Sequence, residues 1–167
     1  MRRTLLSIAV SLWSATVAFA ETPARIAVLD FELNDLTLDP GNAAEIERTA
    51  SIKPLLEKAL NKANRATVAV DAAAQSSADR GVGYLFDHSD AAAALGSTVG
   101  AKWVVVGRVH KASFLFVYFM VHVVDVETGK QIANLVVEVK GPQKALTGRG
   151  VESMAEQIAM AVERSAN

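Results

Sequence analysis

The chain has 167 residues, a formal net charge of −1 and no cysteine, and 51% of its residues are hydrophobic. This length and apolar content suffice for one domain with its own core. The near balance of 17 basic and 18 acidic residues gives no basic footprint, so we expect no nucleic-acid partner. The absence of cysteine excludes disulfides, thiol catalysis and thiolate metal centres.

The first twenty residues have the pattern of a secretory signal peptide. Arg2 and Arg3 precede an apolar run over 5–17, and small residues at Ala18 and Ala20 precede a polar segment. The run is shorter than the roughly 20 residues of a membrane-spanning helix, so we expect cleavage of residues 1–20 rather than a retained anchor. We therefore predict export to the periplasm by the general secretory route, with no transmembrane segment in the mature chain.

Strands and helices alternate in the first half of the mature chain. A short apolar run over 25–32 predicts a central strand buried on both faces, and turn-forming residues follow it over 34–42. Apolar residues recur at helical spacing over 43–64. Because Pro54 interrupts that spacing, the helix either kinks there or restarts at Ser51.

The middle of the chain predicts smaller elements. Alternating β-branched residues over 67–71 indicate a second short strand. Residues 72–89 are mostly small and polar, which predicts a short helix followed by a loop. A further helix is predicted over 91–99, ended by Gly100 in a left-handed conformation.

The last third predicts an antiparallel meander and a final helix. Strands are expected over 103–109, 114–126 and 131–140, with a hairpin turn over 127–130 between the last two. The final helix has one apolar face. That face consists of Val151, Met154, Ala155, Ile158, Ala161 and Val162.

This order of elements predicts one α/β (α+β) domain over residues 21–167. Helices between the early strands and a meander at the end indicate a mixed sheet of about five strands with helices packed on it. No linker, repeat or low-complexity tract divides the chain into two domains.

Several short segments carry a resemblance to known families. Residues 27–31, 100–107 and 125–129 resemble the N-terminal domain of TolB and the related CsgG and FlgT periplasmic domains. More closely, Asp-Phe-Glu at 30–32 and the Gly-Arg-Val-His-Lys-Ala-Ser segment at 107–113 are similar to a family of small secreted bacterial proteins of unknown function. The resemblance implies a TolB N-terminal-like fold in the bacterial envelope, and it carries over no catalytic residue.

The tightest cluster of metal-capable side chains is Asp87, His88 and Asp90. A histidine between two carboxylates can contribute ligands to a divalent ion, but a closed site normally needs four groups. The alternative, which we favour, is that Ser89 or Asp90 caps the helix over 91–99.

A second cluster of carboxylates lies at the end of the first predicted strand. Asp30 and Glu32 end that strand and Asp35 follows it, where α/β sheets bind ligands, and the three form a candidate lip for a small ligand. Alternatively, the Asp35 side chain stabilises a turn. No nucleophile elbow or phosphate-binding loop is present, so we predict neither an enzyme nor a cofactor.

The hairpin run over 114–124 is apolar on both alternating faces, whereas a hairpin with one solvated face should alternate. Either helices and loops cover both faces, or part of the run is an exposed contact surface. In the second case Phe114, Phe116, Tyr118 and Met120 would bind an envelope protein or a second copy of the chain.

These observations favour a non-enzymatic accessory or protein-interaction module of the periplasm that uses the hairpin face. The alternative is a periplasmic protein that binds a small ligand or a divalent metal through the acidic lip near Asp30 together with Asp87 or His88.

Overall fold

The computed structural model describes residues 25–140 and 144–166. The predicted signal peptide at 1–20 and its cleavage site lie outside the described residues. Within the described ranges, every helix is too short or too polar to cross a bilayer.

The described residues form six strands and five helices around one mixed sheet. The sheet order is β3-β1-β4-β5-β6, with β2 also paired to β4. The predicted class, a mixed sheet that ends in an antiparallel meander and carries packed helices, is confirmed. In chain order the elements are β1 (Ile26–Val28), β2 (Glu32–Asp35), α1 (Ala43–Lys62), β3 (Thr67–Val68), α2 (Ala72–Ala78), α3 (Tyr84–Asp87), α4 (Ser89–Thr98), β4 (Trp103–Lys111), β5 (Phe116–Asp125), β6 (Gln131–Lys140) and α5 (Lys144–Ala166).

The single strand predicted over 25–32 is wrong in extent, because the structure divides it into β1 and β2. Both short strands pair in parallel with β4. The backbone leaves the strand conformation between them, and the buried side chain of Phe31 lies over Gly107 of β4. A Cβ atom at Gly107 would lie 2.2 Å from the Phe31 ring, so the ring occupies space that only glycine leaves open.

Helix α1 continues through Pro54 and does not restart at Ser51. It begins after Asn42, whose side-chain oxygen accepts a hydrogen bond from the Glu45 N–H at 3.1 Å. This side-chain cap satisfies one of the free N–H groups at the start of the helix. The helix therefore begins close to the carboxyl ends of β2 and β4.

Helices cover the two faces of the sheet unequally. Helices α1 and α5 bury one face against side chains of β1, β4, β5 and β6, and the apolar face predicted for the last helix is buried there. Helices α2, α3 and α4 cover the other face mainly over β1 and β4. The same side of β5 and β6 is therefore only partly covered. The β5 side chains buried under α1 and α5 are Val117, Phe119, Val121 and Val123.

Candidate functional site

Two adjoining loops expose large apolar side chains where β2 and β4 end. The Leu36 N–H donates a hydrogen bond to the Lys111 carbonyl at 3.0 Å, so the loop after β2 lies beside the loop that joins β4 to β5. Leu38 is 98% exposed and Phe114 is 63% exposed. We call this surface the apolar end; it consists of Leu36, Leu38, Phe114, Leu115 and Phe116, all of them exposed.

Hydrogen bonds within the first loop hold its shape. The Thr37 hydroxyl and N–H both donate to one carboxylate oxygen of Asp35, at 2.7 and 3.0 Å. The Gly41 N–H donates to the other oxygen at 3.2 Å. Since the carboxylate binds the polar groups of the loop from inside, Leu38 is left on the solvent side.

The second loop is held by a serine and flanked by two cations. The Ser113 hydroxyl accepts a hydrogen bond from the Phe116 N–H at 3.1 Å. The Lys111 Nζ lies 5.6 Å from the centre of the Phe114 ring, and the Lys140 Nζ lies 5.7 Å from the centre of the Phe116 ring. Each ring thus has one side against a cation.

A buried network of charges lies beneath the apolar end, and we call it the ion network. The Lys111 Nζ lies 3.3 Å from an Asp35 oxygen and 3.4 Å from a Glu45 oxygen. The other Glu45 oxygen lies 3.5 Å from the Arg48 guanidinium, whose Nε donates to the Thr147 hydroxyl at 3.0 Å. These contacts join β2, β4, α1 and α5 at one point.

Hydrogen bonding sets the acidity of Asp35. Burial by itself raises the pKa of this carboxyl group, but hydrogen bonds from Thr37, Gly41 and Lys111 outweigh it and lower the pKa from 3.8 to about 2. A pKa that is lower in the folded state stabilises the fold at every pH above the unfolded value. That stabilisation is lost as the pH falls through the folded value.

We expect the stability difference between the wild type and Asp35→Asn to depend on pH only in acid. The difference in melting temperature should be constant above about pH 5 and should shrink between about pH 4 and pH 2, because only the wild type has a carboxyl group at position 35 that is protonated there. Thermal melts followed by circular dichroism measure it. A difference that stays constant down to pH 2 would contradict the assigned acidity.

The predicted hairpin residues fall into two groups. Phe114 and Phe116 belong to the apolar end, and Phe116 is 39% exposed. Tyr118 and Met120 are half-buried, with Met120 packed against the core under α2, α3 and α4. Opposite Met120, the exposed Val136 of β6 extends the apolar surface. The hairpin is therefore covered over part of its length and exposed over the rest.

Sequence reasoning missed the leucines of the apolar end. The residues around Leu36 and Leu38 are turn formers, and they predicted only a loop. Two leucines in an otherwise polar loop are a weak signal of an exposed contact. Their position beside Phe114 depends on the parallel pairing of β2 with β4, which no local pattern indicates.

The three metal candidates do not converge. Asp87 lies 3.8 Å from the Arg108 guanidinium, and the His88 ring stacks on Tyr84 with its Nδ1 2.9 Å from the Tyr84 carbonyl oxygen. Asp90 lies in the first turn of α4. Within 25–140 and 144–166, no group of three or more histidine and carboxylate side chains is placed to share a metal ion.

The prediction that Ser89 or Asp90 caps α4 is wrong. The residue before the helix is His88, and its side chain makes no capping hydrogen bond. The Ser89 hydroxyl instead donates to the Gly129 carbonyl at 2.9 Å, which ties α4 to the turn between β5 and β6. The hydroxyl group that could have capped the helix is therefore bound to Gly129, which is distant in the sequence.

The carboxylates of the predicted acidic lip are separated. Glu32 and Asp35 project to opposite faces of the sheet, because they lie an odd number of residues apart in one strand. Each of the three carboxylates binds a different cation of the chain. The pairs are Asp30 with Lys53 at 3.1 Å, Glu32 with Arg108, and Asp35 with Lys111 at 3.3 Å.

The chain is similar to known proteins both in sequence and in fold. A family model for DUF3280, described as "Protein of unknown function (DUF2380)", matches residues 24–158. No curated protein matches the sequence. The lipoprotein GNA1162 from Neisseria meningitidis is similar in structure, with 18% identity over 82% of this chain and 97% of that chain and a TM-score of 0.53.

Two further structures are similar at lower identity. The PelC dodecamer from Paraburkholderia phytofirmans is 13% identical, with 76% of this chain and 79% of that chain covered and a TM-score of 0.50. TolB from Acinetobacter baumannii is 14% identical, with 88% of this chain and 29% of that chain covered and a TM-score of 0.45. TolB is thus among the neighbours, whereas the resemblance to CsgG and FlgT stays a prediction.

Proposed function

This chain belongs to the DUF3280 family of proteins of unknown function, and we propose that it is an exported, non-enzymatic interaction module that binds a protein of the bacterial envelope. The observation that carries the proposal is the apolar end. Large exposed apolar patches are rare on monomeric proteins, and they mark contact surfaces. The signal-peptide pattern over residues 1–20 supports export to the periplasm.

Rigid support makes the apolar end suited to binding. The hydrogen bonds of Asp35 and Ser113 fix the two loops, and the ion network fixes the strands and helices beneath them. A surface that is already ordered loses little conformational entropy when it binds. Phe114 and Leu115 are both exposed, so a partner that covers this surface can bury them.

The placement of the charged residues supports a non-enzymatic role. The three carboxylates of the predicted acidic lip, Asp30, Glu32 and Asp35, are each bound to a cation of the chain itself. Binding of a small ligand at the lip would have to break those pairs. A protein partner for the apolar end requires no such rearrangement.

A photo-crosslinking residue in place of Tyr118, followed by mass spectrometry, identifies the partner in cells. The purified partner is then titrated against the wild type and against Phe114→Ser combined with Leu115→Ser. We expect the double variant to bind about tenfold more weakly or worse, since it removes two apolar contacts. Both changes are at the surface, so the melting temperature should stay nearly unchanged.

The matched control is Met160→Ser, which also removes an exposed apolar side chain but lies near the far end of α5. It should bind the partner as the wild type does. Equal affinity of the double variant and the wild type would overturn the proposal. Labelling of lipid alone, without any protein, would overturn it as well.

A further inference from the structure

A groove of about 580 Å³ runs between α1 and α5 on the surface of the molecule. Its floor is apolar because small side chains from both helices face each other there. Its two walls carry opposite charges, lysines on α1 and glutamates on α5. The floor consists of Ala59, Ala63, Gly148, Val151 and Ala155, and the walls of Lys58 and Lys62 on one side and Glu152 and Glu156 on the other.

The two helices that form the groove run in the same direction. Near their first turns Arg48 binds Thr147, 99 positions later, and near their last turns Arg65 binds Glu163, 98 positions later. Residues of α1 are therefore level with residues of α5 that follow them by this nearly constant separation. With the separation of 98 positions found near the last turns, Lys58 is level with Glu156.

The charges of the walls are free for a partner. All four side chains are exposed, and within the described ranges none of them makes an ion pair. Leu55, also at the groove, is partly exposed although it is apolar. The groove thus offers an apolar floor between one positive and one negative wall.

We propose that this groove is the interface with a second copy of the chain. A two-fold axis along the groove lays α1 of each copy over α5 of the other and brings Lys58 opposite Glu156 twice. An axis across the groove would lay lysines over lysines, so charge complementarity selects one orientation. The interface does not involve the apolar end and does not rest on the proposed function.

Charge reversal with mixing tests this arrangement by sedimentation equilibrium. The wild type should dimerise, with a dissociation constant that rises with salt. Lys58→Glu alone and Glu156→Lys alone should each weaken the dimer about tenfold or more, because each puts two like charges in contact. An equimolar mixture of the two variants should recover a heterodimer, since every contact then joins unlike charges.

The control pair is Glu127→Lys and Lys130→Glu, the same reversals at exposed positions in the turn after β5. Both should dimerise as the wild type does, and so should the variant that changes Phe114 and Leu115. A wild type that stays monomeric at high concentration would overturn the proposal. So would single reversals without effect, or a mixture that stays monomeric.

Discussion

Lys111→Met is expected to lower the free energy of unfolding by about 3–5 kcal/mol, because it removes the cation from a buried group of charges and leaves the carboxylates that it contacts without that partner. The Lys111 side chain is 4% exposed and lies within 3.4 Å of both Asp35 and Glu45. Without the ammonium group, two carboxylates are left in a buried site with one cation fewer. Urea denaturation of the purified protein measures the change.

The matched control is Lys140→Met, at an ammonium group whose side chain is 72% exposed, and it should cost no more than about 0.5 kcal/mol. Part of the loss at Lys111 should be recovered when Asp35→Asn is added, because a neutral side chain costs less to bury, while Glu45 keeps Arg48 as its partner. If Lys111→Met unfolds at the wild-type urea concentration, the ion network does not stabilise this end of the sheet.

Gly107→Ala is expected to cost about 1–3 kcal/mol by overpacking. The added methyl group would lie 2.2 Å from the Phe31 ring, and neither the central strand nor the buried ring can move away freely. In a Phe31→Ala background the same change should cost far less, since the clashing ring is gone. Denaturation of all four members of this double-mutant cycle measures the coupling.

Gly148→Ala is the control for the loss of glycine itself. No atom lies within 4 Å of the added methyl group, and in helix α5 alanine should stabilise by up to about 1 kcal/mol. Equal costs at Gly107 in the presence and absence of the Phe31 ring would show that the ring is not what excludes a side chain there.

Hydrophobic periodicity predicted the elements whose neighbours are close in the sequence. The three strands of the meander lie where the apolar, valine-rich runs and the turn residues between them predicted, and the last helix buries the face that includes Met154 and Ile158. The break at Phe31 could not be predicted, because it depends on a glycine in a distant strand. The strand predicted over 67–71 shrinks to Thr67–Val68, since only these residues pair with β1.

The same difference between local patterns and contacts of distant strands explains which residues of the candidate site could be predicted. The apolar run predicted a contact surface at Phe114 and Phe116, since its pattern is local. The leucine at position 38 joins this surface only through the pairing of β2 with β4. Asp35 ends a strand, as a ligand-binding carboxylate can, but it is buried in an ion pair with Lys111 of another strand.

The position of β1 has a consequence for the order in which the sheet can be completed. Ile26 pairs with Thr67 of β3 on one side and with Trp103 of β4 on the other. The first strand to be synthesised can therefore complete its pairing only after β4 has been made. Closing such long loops is slow compared with forming hairpins between consecutive strands. A nascent chain that stops before β4 therefore leaves its first strand without a neighbour on one side.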